Sequence, residues 1–152
     1  MRTRLFLTMI LILATALAVA CGGDEDQDST SGIPENAALK ITGQVDNEVG
    51  WTEEEIRAMD TIEAESTNKS GETSTYTGVP IKTLVEMAGP KSDATTLVYV
   101  ADDGFTAEVA LSDVQTCDDC IVSFRNQGGF SIVMPGFPGN VQVKGVIEIQ
   151  VQ

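Results

Sequence analysis

Residues 73–101 read TSTYTGVPIKTLVEMAGPKSDATTLVYVA, and this stretch carries the signals of a strand, a helix and a second strand in succession. Residues 73–77 are polar and β-prone, which is typical of a strand. Pro80 suits the start of a helix, where its missing N–H is not needed. The helix places four apolar side chains on one face, namely Ile81, Leu84, Val85 and Ala88. Gly89-Pro90 ends it, and residues 95–101 form an apolar strand.

The sequence on either side of this stretch is dominated by strands. Alternating or apolar runs predict further strands over residues 39–45, 61–67, 105–110, 121–124, 130–134 and 141–151. Thr52 and Glu55 form a capping box, which predicts a second short helix ending near Met59. We therefore expect one domain over residues 38–152, of the α+β class, with a mixed, mostly antiparallel sheet and two short helices.

The N-terminus has the pattern of an export signal. Arg2 and Arg4 precede an apolar run that is shorter than the roughly 20 residues of a membrane-spanning helix. Residues 1–20 are therefore predicted to be a signal peptide. Ala18-Val19-Ala20-Cys21 resembles the signal of bacterial lipoproteins, in which the matching cysteine is lipidated and becomes the new N-terminus. The resemblance implies a stable membrane anchor through lipid at Cys21, on the extracytoplasmic face of the cell envelope. An uncleaved anchor helix is the alternative.

The charge of the chain is strongly negative. Residues 21–37 are acidic and poor in large apolar side chains, so we predict a disordered tether there. The formal net charge is −14, and removal of residues 1–20 leaves seven basic against 23 acidic side chains, a net charge of −16. Such a charge excludes a nucleic-acid partner and favours neutral or cationic ones.

Two cysteines remain once Cys21 is assigned to lipid. Cys117-Asp118-Asp119-Cys120 is interpreted as a structural disulfide, since an even pair in an exported chain is expected to oxidise. A thiol–disulfide exchanger is an alternative, although the two carboxylates disfavour a thiolate. A zinc site is the other alternative, and it would need further ligands in a chain without histidine. We predict no metal site.

Five motifs in a fixed order resemble the molybdopterin-binding domain of the sulfite-oxidase family. The similarity runs from about Leu39 to Val151. It implies that family's fold and a molybdopterin cofactor. In the family, a cysteine thiolate just before the first motif holds the metal. The motifs are Gly78-Val79-Pro80-Ile81, Asp103-Gly104-Phe105, Gly128-Gly129, Val133-Met134-Pro135-Gly136 and Val143-Lys144-Gly145-Val146.

The chain departs from this family at the positions that carry its chemistry. Residues 61–77 contain no cysteine, and Ser131-Ile132 stands where many relatives have an arginine. Lys144 alone among the matched positions suits a cofactor phosphate, and its other interpretation is a solvated lysine on the sheet. A cluster of Lys40, Lys82, Arg125 and Lys144 around one hollow with a thiol would indicate a catalytic site instead.

The sequence therefore predicts a non-catalytic module of the envelope that binds a small ligand or an envelope protein. We expect no catalytic residue and no cofactor, with molybdopterin possible through the resemblance. One alternative is a molybdopterin-dependent oxidoreductase or an electron-transfer accessory. Another is a thiol–disulfide redox protein that uses Cys117 and Cys120.

Overall fold

A nine-stranded β-sheet forms the framework of the computed structural model, which describes residues 32–152. The signal peptide, Cys21 and residues 22–31 of the predicted tether lie outside the described residues. In chain order the elements are β1 (Leu39–Gly43), β2 (Val49–Trp51), α1 (Glu53–Arg57), β3 (Ile62–Thr67), β4 (Thr73–Pro80), α2 (Ile81–Ala88), β5 (Thr96–Ala101), β6 (Thr106–Ala110), α3 (Leu111–Gln115), β7 (Ile121–Phe124), β8 (Phe130–Val133), a 3₁₀ turn (Gly139–Val141) and β9 (Lys144–Val151).

The chain joins the sheet shortly before β1. Gly32 forms an isolated bridge with Val49, and the Ala38 N–H donates to the Trp51 carbonyl at 2.7 Å. Within the described residues, contact with β2 thus starts at Gly32. Within residues 32–152, no helix is both long and apolar enough to cross a membrane.

Strand β9 is the centre of the sheet. It pairs in parallel with β1 and antiparallel with β8 and β5. The strand order is β2-β1-β9-β8-β7-β4-β3, and β6 joins through β5. Every other pairing between these named strands is antiparallel. The predicted mixed, mostly antiparallel sheet is confirmed.

The helical content differs from the prediction. The described chain has three α-helices, the longest being α2 with eight residues, so the α+β class is corrected to a mostly β fold. Helix α3 was missed because it has five residues, too few to show a periodicity. Its N-cap is Ala110, which offers no side chain to cap the helix and so leaves no sequence signal.

The two predicted helices form for the expected reasons. Thr52 accepts a hydrogen bond from the Glu55 N–H, and the Glu55 carboxylate accepts from the Thr52 N–H at 2.8 Å, which confirms the capping box. The apolar face predicted for α2 is buried against the sheet at all four positions. Gly89 ends that helix in a left-handed conformation, with φ of 69°.

A close approach between β4 and β7 fixes the middle of the sheet. β4 continues through Gly78, which lies opposite Ser123 of β7. A Cβ atom at position 78 would collide with the Val122 carbonyl oxygen, so only glycine fits there. This pairing brings residues 75–77 beside the end of β7, where the cleft described next is formed.

Candidate functional site

A cleft of about 720 Å³ opens where β4, β7, β8 and the start of β9 meet. Its walls are residues 75–77, 123–127, 131–133, 142 and 144. These residues come from four separate parts of the sequence, so the site exists only in the folded chain.

The charge of the cleft is opposite to that of the whole chain. Arg125 and Lys144 line it, and none of the lining residues is acidic. Neither cleft cation has a carboxylate partner among residues 32–152, where the ion pairs are Lys40–Glu148, Arg57–Glu53 and Lys82–Asp118. The charged side chains that line the cleft are therefore both cationic.

A bulge in β9 places Lys144 in the cleft. Phe130 pairs with Val146, but the next residue of β8, Ser131, pairs with Lys144, so Gly145 is the extra residue. Gly145 has φ of 71°, and a Cβ atom there would press on the Asp102 carboxylate. Bulges of this kind redirect the neighbouring side chain. The glycine that follows Lys144 in the fifth motif therefore sets the direction of the Lys144 side chain.

The turn between β7 and β8 carries Arg125 and is closed by its own backbone. The Arg125 N–H donates to the Gly129 carbonyl at 3.1 Å, and the Gly128 N–H donates to the Arg125 carbonyl at 3.1 Å. Both glycines have positive φ, 86° and 71°. This conformation explains why glycine occupies both positions of the Gly128-Gly129 motif.

Helix α1 holds that turn from behind. The Glu53 carboxylate accepts from Arg57 at 2.7 Å and from the Gly129 N–H at 3.2 Å. The hydrogen bond from Arg57 and the Gly129 N–H keep the pKa of Glu53 below its usual value. The Arg57 guanidinium also lies 4.6 Å from the centre of the Phe124 ring, a wall of the cleft.

Neutral polar groups complete the walls, and their hydrogen bonds fix them in place. The Gln142 amide donates to the Met134 carbonyl at 3.2 Å and accepts from the Ser66 hydroxyl at 3.4 Å. The Ser123 hydroxyl donates to the Ser131 carbonyl at 3.1 Å. Tyr76 stands at the rim with 37% of its surface exposed. The cleft thus has two aromatic side chains, Tyr76 and Phe124, beside its two cations.

The structure separates the four cations that the sequence singled out. Arg125 and Lys144 share the cleft, whereas Lys40 pairs with Glu148 at 3.2 Å and Lys82 pairs with Asp118. Burial opposes ionisation of Glu148, but hydrogen bonds from Thr42 and Lys40 more than offset it and lower the pKa of that carboxyl. Ser131, at the position where relatives carry an arginine, lines the cleft.

The cysteine pair lies at the other end of β7. Cys117 and Cys120 form a disulfide with their Cα atoms 5.5 Å apart. Cys120 is fully buried, and its carbonyl accepts from the Ile81 N–H at 2.9 Å, which ties the loop to the start of α2. No residue of this loop lines the cleft.

The cleft fits an anionic group better than it fits a thiolate-held metal. Its cations can meet phosphate oxygens. Strand β3 and the part of β4 that precedes the Gly78-Val79-Pro80 motif contain no cysteine. Within the described chain, the only cysteines are those of the disulfide, outside the cleft. The residues present therefore do not supply the protein thiolate that would ligate molybdenum.

Comparison with known proteins agrees with this fold. The structure is similar to that of a chain in the sulfane dehydrogenase SoxCD from Paracoccus pantotrophus, with a TM-score of 0.62 and 21% sequence identity. The alignment covers 74% of this chain and 37% of that chain, so the protein spans little more than a third of the length of its structural relative. No curated protein sequence matches the chain significantly. The family described as the oxidoreductase molybdopterin binding domain matches residues 26–152, and the chain belongs to that family.

Proposed function

We propose that this chain is a lipid-anchored module of the cell envelope that binds a small anionic ligand in the cleft and does not catalyse a metal-centred reaction. One observation carries the proposal: Arg125 and Lys144 line the cleft together, and no carboxylate lies in its walls. In a chain with a net charge of −14, this local excess of positive charge is maintained by the fold. An anion entering the cleft relieves the repulsion between the two cations.

The direct test is a calorimetric titration with pyrophosphate, used as a probe of oxyanion binding. Wild-type protein should bind it, and Arg125→Gln should weaken binding by about 10- to 100-fold, the value of one charge-assisted hydrogen bond. Lys91→Gln is the matched control, because Lys91 is an exposed lysine outside the cleft. Equal affinities in all three proteins would refute the proposal, as would no binding by the wild type.

The location of the module rests on the N-terminal sequence. Residues 1–20 have the pattern of an export signal, and Cys21 follows small residues as in bacterial lipoproteins. Cys21→Ser should release the protein from membranes into the soluble fraction. Continued membrane association of that variant would support an uncleaved helix instead.

The runner-up is a molybdopterin-dependent oxidoreductase or an accessory of one. Membership of the family favours it, and the two cleft cations suit the phosphate of such a cofactor. Against this function, no cysteine that could ligate molybdenum is among the described residues that line the cleft. The molybdenum content of protein purified from its native membrane separates the two functions.

A thiol–disulfide exchanger has less support. The Asp119 carboxylate lies 3.2 Å from the Cys117 sulfur, where it disfavours the thiolate that exchange requires. An insulin-reduction assay that gives a wild-type signal, lost in Cys117→Ser, would restore this function.

A further inference from the structure

The loop between α3 and β7 contains three side chains of types that bind metal ions, and two of them are joined in a disulfide. The side-chain donor atoms of Cys117, Asp119 and Cys120 all lie within 4.8 Å of one another. One carboxylate oxygen of Asp119 is already 3.2 Å from the Cys117 sulfur. Once the sulfur–sulfur bond is broken, these three donors are close enough together to be candidate ligands of one ion.

The required geometry agrees with zinc. With Zn–S of about 2.3 Å and Zn–O of about 2.0 Å, a tetrahedral ion places its sulfurs about 3.8 Å apart and each sulfur about 3.5 Å from the oxygen. The Cys117 sulfur already lies 3.2 Å from the Asp119 oxygen, close to this value, whereas the two sulfurs are bonded in the oxidised loop and must move apart once reduction frees them. Three protein ligands leave the fourth position for water on the exposed side, where Asp119 faces solvent.

The two carboxylates of the loop have different roles. Asp118 pairs with Lys82 of α2, which draws that side chain away from the sulfurs and lowers its pKa. Asp119 has no such partner among the described residues and contacts the Cys117 sulfur instead. Asp119 is therefore the third ligand, whereas Asp118, which is exposed and paired with Lys82, is not a ligand.

Hydrogen bonds hold the loop in shape independently of the disulfide. On the α3 side, the Cys117 N–H donates to the Val114 carbonyl at 3.2 Å, and the Thr116 hydroxyl donates to the Ser112 carbonyl at 3.0 Å. On the β7 side, the Cys120 carbonyl accepts from Ile81 at 2.9 Å. Because none of these bonds involves a sulfur atom, breaking the disulfide removes none of them directly, and we expect the two thiols to stay close together.

We propose that reduction of the Cys117–Cys120 disulfide creates a binding site for zinc or a similar thiophilic divalent cation. A dithiol reductant attacks the Cys117 sulfur, since Cys120 is fully buried, and the sulfur–sulfur bond breaks with Cys120 as the leaving thiolate. The second thiol of the reductant then displaces Cys117, and the reductant becomes a disulfide after giving up two electrons. The cation binds both thiolates and the Asp119 carboxylate, and any thiol protons go to solvent.

The test uses the full chain with Cys21→Ser, so that the only thiols are those of the loop. Protein reduced with a phosphine, which leaves no competing thiol, is titrated with zinc against a chromophoric chelator in the absence of oxygen. The reduced protein should bind one zinc ion per chain and the oxidised protein none. A reduced protein that binds no more zinc than the oxidised one overturns the proposal.

A matched pair of variants identifies the third ligand. Asp119→Asn should weaken zinc binding at least about tenfold, since even the loss of an outer-shell partner costs about 10- to 100-fold. Asp118→Asn removes the same charge from the same loop and should leave the affinity unchanged. Equal weakening by both variants would show that zinc responds to the local charge alone and would overturn the assignment. Pyrophosphate binding in the cleft is independent of this result.

Discussion

The two ends of strand β7 carry opposite charge. The end at Phe124 leads to the cleft, where Arg125 and Lys144 have no carboxylate among the lining residues. The end at Ile121 follows the disulfide loop, where Asp118 and Asp119 lie between the cysteines. One strand of four residues thus separates the proposed anion site from the proposed cation site. The charge of an individual surface can therefore differ in sign from the net charge of the chain.

The largest effect is expected when both ends of β7 carry the same sign of charge. The double variant Arg125→Glu/Lys144→Glu should abolish pyrophosphate binding, because two attractive charges are replaced by two repulsive ones. The loop at the other end should keep its zinc affinity after reduction. Calorimetry of both ligands measures this, and residual pyrophosphate binding at wild-type strength would place the anion elsewhere.

Changing the bulge in β9 tests the backbone behind the cleft. Gly145→Ala forces a Cβ atom into a left-handed conformation next to the Asp102 carboxylate. It should lower the free energy of unfolding by about 1–2 kcal/mol and weaken pyrophosphate binding by displacing Lys144. Gly136→Ala is the control, since Gly136 also has positive φ but open space around its Cβ position. If the control weakens binding as much, backbone strain in general, and not the position of Lys144, explains the effect.

Removing the disulfide tests the other end alone. The variant Cys117→Ser/Cys120→Ser should lose about 2 kcal/mol of stability, the chain-entropy value for so short a loop. Pyrophosphate affinity should not change, because no residue of the loop lines the cleft. Urea unfolding and calorimetry give the two quantities. A loss of anion binding would mean that the two ends are coupled through β7.

The smallest expected effect comes from pH, through one carboxylate at each end. The pKa of Glu53 is lowered by Arg57 and the Gly129 N–H, and the pKa of Asp118 is lowered by Lys82. Each group therefore stabilises the fold above its ordinary pKa, and that contribution is lost as the pH falls through the lowered value. Glu53→Gln and Asp118→Asn should each flatten the decline of stability in acid, as measured by urea unfolding between about pH 7 and pH 3.

The stabilising contributions of these two carboxylates should respond differently to salt. Asp118 is 90% exposed and its ion pair should weaken as salt is added, whereas Glu53 also accepts a backbone hydrogen bond that salt does not screen. An identical salt response of the two variants would contradict the distinction.

The sequence predicted the features that depend on neighbouring residues. The capping box of Thr52 and Glu55, the buried face of α2 and the pairing of Cys117 with Cys120 each involve partners within a few residues, and all are present in the structure. Helix α3 was missed because it has no cap and is too short for a pattern. Its five residues are positioned by packing against the rest of the fold, and such packing leaves no pattern in the local sequence.

The cleft was predicted only in part because its residues are distant in sequence. Lys144 was identified through a family motif, but its partner Arg125 was only one of four cations considered. Nothing in the composition indicates which lysines pair with carboxylates, and the structure shows that Lys40 and Lys82 do. The overall charge favoured neutral or cationic partners, and the cleft differs from that average because the fold excludes acidic side chains from its walls.

Whether the cleft holds a metal cofactor is tested by the molybdenum content of the protein, purified from its native membrane under non-denaturing conditions. Because the cleft attracts anions but supplies no thiolate for a metal, we predict far less than one molybdenum per chain. A content of one molybdenum per chain, retained through purification, would contradict this prediction and establish the cleft as the site of a cofactor.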